Sequence, residues 1–198
     1  MDLGKLVAAA PALRLPSERL VLRRLGANDV ATALAHEQDR RIMRWIRDLQ
    51  PVAAMQERIQ AMLGPWTGDD GEWLTLAVEP RGGPVMAGIV VCRVTVAADE
   101  TMELGYRLHP DVHRCGFAFE ACSRLLDHLF GAIGVRKVVA HCAAENEPSW
   151  RLMEKLGMRR EAHFREHTRL DGQWRDAFSY GLLARESRPA AAAGPALA

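Results

Sequence analysis

The sequence has almost no imbalance of charge. Its 26 Lys and Arg stand against 25 Asp and Glu, a formal net charge of +1 over 198 residues. No global basic field therefore argues for a nucleic-acid partner, and any anion must be recognised locally. Cysteine is scarce too: Cys92, Cys115, Cys122 and Cys142 make no C-x-x-C pair and follow no zinc spacing. Reduced thiols fit better than a disulfide framework. Long apolar runs are missing, since none reaches the roughly 18–20 residues that a membrane span requires. The opening MDLGKLVAAAPALRLPS has a faint secretory look, but Asp2 occupies the would-be basic region and Pro11 interrupts a run already short. A cytoplasmic protein with no membrane contact is the expectation.

What is present suits one compact α/β (α+β) domain, or at most two small ones, with 48% apolar and 26% charged residues. Residues 1–16 read as an N-terminal extension and 17–186 as the domain. The SRPAAAAGPALA stretch, 187–198, is a tail that can bury little and is expected to be mobile.

SERLVLRRL (17–25) alternates apolar and basic residues, predicting an opening strand. Asn28 or Asp29 can cap a helix to about His36, and PVAAMQERIQAMLG forms a second helix between Pro51 and Gly64. GDDGEWLTLAVEP, GPVMAGIVVCRVTV and TMELGYRL (101–108) are successive strands. From Ala118 to Gly134, apolar residues fall on one helical stripe, with Glu120 and Arg124 as an i,i+4 pair. KVVAHCA (137–143) is a buried strand, and ENEPSWRLMEKLG (145–157) a helix. Two last strands flank Asp171-Gly172, a hairpin signal whose loop Gln173 could lengthen. This order describes a mixed, mostly antiparallel sheet with helices on both faces.

The turn HRCGFAFEA (113–121) joins a strand to the clearest helix. Free N–H groups at the helix start, with Gly116 allowing close approach and His113 and Arg114 adding charge, would suit a phosphate. A solvent-exposed helix start with incidental basic residues fits this turn equally well. Two histidines, His109 and His113, lie four apart, but Pro110 between them breaks the helix that a zinc face needs, so no metal is expected. No G-x-S-x-G elbow supports a hydrolase. Arg40, Arg41, Arg44 and Arg47 crowd around Trp45; they could favour an acidic acceptor, although a solvated basic face is the simpler reading.

Several segments in order carry a resemblance: His113-Arg114-Cys115-Gly116-Phe117-Ala118, then Asn146-x-x-Ser149, Glu154-Lys155-Leu156-Gly157-Met158 and Asp171-Gly172-Gln173-Trp174-Arg175-Asp176. With SERLVLRRL and Met43-Arg44-Trp45-Ile46, they span roughly residues 17–184. The chain resembles the GNAT superfamily of acyl-CoA N-acyltransferases, in particular its ribosomal-protein N-terminal acetyltransferase (Rim) branch. The resemblance implies a single GNAT-like domain with acetyl-CoA as cosubstrate and an amine acceptor, either a peptide N-terminus or a small molecule. A homodimer is a further expectation.

The same resemblance implies that pyrophosphate sits on the amides of 113–118, that is His113, Arg114, Cys115, Gly116, Phe117 and Ala118. Pantetheine would run beside the main chain of Arg107 and Leu108. Asn146 would bond the pantetheine amides, although a plain N-cap is its other reading. Glu103 is the candidate base, or else an outward strand residue. Seven residues after Asn146, where many relatives carry a tyrosine acid, stands Met153, so Ser149 becomes the candidate proton donor to the thiolate. Ser149 could equally be a first-turn serine bonded to backbone. Cys115, inside the proposed phosphate loop, is badly placed to form an acyl-enzyme, so direct attack in a ternary complex is expected. The departures at His113-Arg114 and Met153 leave a second reading, a CoA-binding sensor or interaction module on the same fold.

Overall fold

The strands form where β-rich runs alternate, and a computed structural model, describing residues 1–83 and 85–187, gathers them into one eight-stranded sheet. These are β1 (Arg14–Pro16), β2 (Leu20–Arg24), β3 (Trp73–Pro80), β4 (Gly88–Val96), β5 (Thr101–Leu108), β6 (Lys137–Ala143), β7 (Arg159–Leu170) and β8 (Gln173–Leu183). Their spatial order is β1-β2-β3-β4-β5-β6-β8-β7. Every neighbouring pair is antiparallel except β5 with β6. The helices are α1 (Leu3–Ala9), α2 (Val30–Gln38), α3 (Arg40–Met43), α4 (Val52–Leu63), α5 (Phe117–Asp127) and α6 (Glu147–Lys155).

Period-2 alternation divides the strands between two cores. Leu74, Leu76 and Val78 of β3, Val90, Cys92 and Val94 of β4, and Met102 and Leu104 of β5 join the larger one, under α5. There α5 buries Ala121, Cys122, Leu125 and Leu126, the stripe that its 3.6-residue spacing demands. Each leucine so buried contributes roughly 1.5–3 kcal/mol. Ala77 and Ile89 face the other way, against Ala33 of α2 and Ile59 of α4. Helices thus cover both faces, as expected.

Several details depart from the sequence reading. Residues 1–16, expected to be an extension, form α1 and β1, with Leu6 fully buried and Ala10, Leu13 and Leu15 in the larger core. Asp2 caps α1 by accepting from the Lys5 amide at 2.9 Å. Helix α5 ends at Asp127 and continues as a π-helical turn, His128–Ile133. Of the expected tail, residues 188–198 lie outside the described residues. Asp171 (φ 50°) and Gly172 (φ 73°) both take the left-handed conformation, and Leu170 pairs with Gln173. That is the two-residue turn matching strand twist, and Gln173 begins β8 rather than lengthening the loop.

The feature that positions the site is a parting within the sheet. β5 and β6 share three rungs, Thr101↔Lys137, Met102↔Val138 and Glu103↔Val139. Beyond them β5 stays with β4 to Leu108↔Gly88, while β6 stays with β8 to Ala143↔Ala177. From Leu104 onward, the side of β5 that faces β6 has no strand partner among the described residues.

Candidate functional site

A helix that follows a strand through a tight turn leaves its first N–H groups unpaired. After β5, a 3-10 turn (Pro110–Val112) leads to His113, Arg114, Cys115 and Gly116, and α5 starts at Phe117. Arg114 (φ 62°) and Gly116 (φ 80°) are both left-handed, an alternation of hand that turns consecutive amides to one side. Gly116 serves as N-cap without a side-chain bond. Among the described residues, none of the amides of 114–118 donates to a protein acceptor, and intrahelical bonding resumes with Glu120 N to Gly116 O at 3.0 Å.

The loop is braced by Arg19, from the β1–β2 turn, a residue that sequence reasoning missed. Its Nη1 donates to Cys115 O at 2.9 Å, its guanidinium lies 5.0 Å from the Phe117 ring centroid, and its Nε donates to Glu120 Oε2 at 2.7 Å. Glu120 Oε1 accepts from Ser17 Oγ and from the Arg19 amide, both at 2.7 Å. Burial pushes the Glu120 carboxyl up. The Arg19 amide, the Ser17 hydroxyl and the Arg19 guanidinium outweigh that effect and hold it below the ordinary carboxylate range. The expected Glu120–Arg124 pair is replaced: Arg124 Nε donates to Pro16 O at 2.9 Å. These bonds depend on how β1 and β2 dock on α5, which local sequence does not encode.

His113 is exposed, and its Nε2 lies 3.1 Å from Leu108 O, so the ring bonds the main chain just before the turn. Across the parting, Asn146 caps α6 by position only: its side chain makes no capping bond, while its carbonyl accepts from Ser149 N at 3.0 Å. Asn146 is half-buried, and its backbone amide donates to Ala143 O at 2.9 Å while its side-chain amide bonds no group among the described residues. Ser149 Oγ lies 3.0 Å from the Tyr106 hydroxyl, which donates to Ser149 O at 2.9 Å. Burial pushes the Tyr106 phenol up, and the Cys142 thiol beside Ser149 up to about 11. Tyr106 therefore stays protonated and links the two sides of the parting. Met153, where an acid could have stood, is 1% exposed and belongs to the larger core.

Glu103, Gly105 and Arg107 share the opposite face of β5 by the alternation of side chains. Glu103 Oε2 accepts from Arg93 Nε at 2.8 Å and from Arg93 Nη2 at 2.6 Å, and Arg93 stacks 4.5 Å from the Trp73 ring centroid. Arg107 is 8% exposed, and its guanidinium pairs with Glu37 of α2 at 2.5 Å. The α3–α4 segment reaches the final hairpin here. Trp45 lies between Arg44 and Arg175, at 4.7 and 5.6 Å, and Asp48 Oδ1 accepts from Asp171 N at 2.7 Å. Arg175 in turn donates to Glu145 Oε1 at 2.8 Å, one residue before Asn146. Thus His113 to Ala118, Asn146, Ser149 and the main chain of Arg107 and Leu108 border the parting, while Glu103 lies on the other face beside its last rung. Arg93, Tyr106 and Glu37 carried no motif; only the structure relates them to the site. Two hollows elsewhere, one lined by Arg23 and Asp29 and one by His163 and Asp176, hold side chains already bonded to each other at 2.7 and 2.6 Å.

Free amides at a helix start, beside a parted sheet, suit an elongated ligand with an anionic diphosphate. The chain matches the family model of the acetyltransferase (GNAT) domain over residues 19–159. It is 26% identical to the uncharacterized N-acetyltransferase YnaD of Bacillus subtilis over 174 residues, 88% of this chain and 99% of that protein. It is also 21% identical to the ribosomal protein uS5-alanine N-acetyltransferase of Escherichia coli, covering 84% of this chain and 88% of that one. Among solved structures, a spermidine N-acetyltransferase from Vibrio cholerae, in complex with CoA and spermine, superimposes with a TM-score of 0.74 at 22% identity, over 86% of this chain and 98% of that one. The parted sheet, the loop of free amides and a family match over most of the domain agree: this chain belongs to the GNAT acetyltransferases, acyl-CoA-dependent enzymes with ribosomal-protein N-acetyltransferases among its relatives.

Proposed function

We propose that the protein moves the acetyl group of acetyl-CoA onto a primary amine, at a protein N-terminus or on a small molecule, by direct attack in a ternary complex. The observation that carries this reading is the juxtaposition of unpaired amides at 114–118 with the uncommitted Asn146 amide across the parting of β5 and β6. The loop amides hold the pyrophosphate, with Arg114 and His113 beside them. The open edge of β5 at Arg107 and Leu108 and the Asn146 side chain hold pantetheine. Main-chain N–H groups of 104–108 stabilise the oxyanion as the amine nitrogen bonds to the thioester carbon. Glu103 takes the amine proton, directly or through one water; Arg93 occupies only its Oε2, and Oε1 remains for that proton. As the C–S bond breaks, Ser149 Oγ donates to the CoA thiolate, with the Tyr106 hydroxyl 3.0 Å behind it.

The test is steady thiol release from acetyl-CoA across amines and N-terminal peptides. Glu103→Gln should lower kcat about 100-fold near neutral pH and less as the amine deprotonates unaided. Ser149→Ala should lower kcat about tenfold with the acetyl-CoA dissociation constant nearly unchanged. An unaltered rate in Glu103→Gln at every pH removes Glu103 as base. The buried Met153 favours the second reading, a CoA-binding sensor. Tight CoA binding without acceptor-dependent release selects that reading, and no CoA binding at all ends both.

A further inference from the structure

Four arginines lie between α2 and α4, yet three of them turn outward. Arg40, Arg41 and Arg44 are exposed; Arg41 pairs with Asp39 at 2.6 Å, and Arg44 lies on Trp45. Arg47 is half-buried instead, and its guanidinium feels the charge of two arginines that sequence reasoning had not grouped with it. Arg107 rises from β5 and Arg58 from α4, both toward Glu37 of α2, which is 1% exposed. Arg107 Nη2 reaches Glu37 Oε1 at 2.5 Å, and Arg58 Nη1 stands 3.7 Å from Glu37 Oε2. The Arg47 amide donates to Met43 O at 3.2 Å, but its guanidinium forms no hydrogen bond or ion pair among the described residues. Burial lowers its guanidinium pKa, Glu37 opposes that, and Arg58 and Arg107 repel it further. One carboxylate thus faces three guanidinium groups.

The surroundings do not supply the missing negative charge. His36 is held neutral, its pKa pushed down to about 4 by burial, by His109 and by Arg107. Asp39 is committed to Arg41. Arg107 Nε and Arg58 Nη1 are buried donors without a hydrogen-bond partner, and Arg107 Nη1 reaches only the Met43 sulfur, at 3.2 Å. Unmatched buried charge and unfilled donors are expensive, and they suit a site completed by a ligand. Arg47 and Arg58 are only half-buried, so the cluster has an open wall above the buried Arg107.

We infer that the acceptor amine carries a carboxylate, which Arg47 and Arg58 bind over the Arg107–Glu37 pair. This rests on the proposed acetyl transfer, with the amine beside Glu103. Arg107 is four residues along the same face of β5, so amine and carboxylate stand on the order of 10 Å apart. That spacing excludes an α-amino acid held by its own carboxylate. It fits a peptide whose second or third residue is Asp or Glu.

Matched peptides with Glu or Gln at those positions, together with spermidine, test the inference. Binding is read by calorimetry with and without CoA, and turnover by thiol release. The acidic peptide should bind and turn over about tenfold better than its amide twin. Arg47→Gln and Arg58→Gln should each bring the pair near parity by raising KM rather than lowering kcat, with acetyl-CoA affinity unchanged. Lys at either position should restore part of the preference, and circular dichroism verifies folding. Equal binding of acid and amide by wild type overturns the inference, as does a preference for spermidine. Loss of acetyl-CoA binding and of all thiol release would instead overturn acetyl transfer, with the calorimetric comparison of acid and amide still deciding the subsite.

Discussion

Two residues of unusual backbone hand shape the loop, and they do so differently. Arg114 takes φ 62° with a full side chain, accepting a strain that a glycine would avoid. Gly116 takes φ 80°, and a Cβ there would meet Arg19 Nη2 at 3.3 Å. Gly116→Ala should cost about 1 kcal/mol through left-handed strain, a fall in Tm of roughly 2–4 °C. It should also weaken CoA if the pyrophosphate binds at the loop amides as proposed, because the added methyl group would crowd that approach. Gly116→Asn separates the two effects, since asparagine tolerates the left-handed region. Thermal melting should recover in that variant while calorimetric CoA affinity stays low; recovery of both would remove the crowding argument. Gly116 was legible from sequence because a strand-turn-helix junction makes glycine meaningful. The side chain of Arg107 was not legible, since its fate depends on Glu37, seventy residues earlier.

Among the elements, the junction of β1, β2 and α5 determines how firmly the loop is held. The Glu120 carboxyl is depressed in the folded state, so its contribution is present above the ordinary carboxyl value of 4.5 and fades as pH falls through the depressed one. Glu120→Gln should therefore cost about 1–2 kcal/mol at neutral pH. The gap to wild type, read from denaturant midpoints, should close in acid; a constant gap from pH 7 to 3 would deny the bonds to Arg19 and Ser17 this role. Elements punctuated locally were readable in advance: α4 runs from Val52 to Leu63 between Pro51 and Gly64, and β5 spans the residues expected. α1 was not readable. Asp2 as a cap and the alanines favour a helix, but seven residues are too few to hold one alone, and burial of Leu6 in a core built later in the chain completes it. β7 also hid its form, because its register shifts near Glu161 and between Phe164 and Thr168 arise from pairing with β8.

Across the whole molecule, the sheet behaves as two panels, β1 to β5 and β6-β8-β7, joined by three parallel rungs. The panels also meet through Tyr106 with Ser149 and, on the other face, through Trp45 with Arg175. Amide exchange should be slow in β3 and β4, which are paired on both sides, and faster along β5 beyond Leu104, which is paired on one side only. Addition of CoA should slow exchange at 104–108 and 114–118 together. Protection confined to one of those segments would contradict a ligand lying across both.

A sheet that forgoes rungs in its middle has left part of its own cohesion to be supplied from outside. Bound as proposed, the cosubstrate would act as a removable clasp as well as an acyl donor, and the resilience of the protein would follow the supply of CoA. At a concentration 100 times its dissociation constant, such a clasp adds about 2.7 kcal/mol to the folded state. The CoA-free protein should correspondingly be the more readily cleaved form, with its weak line along the inner edge of β5, where pairing with β6 stops at Glu103.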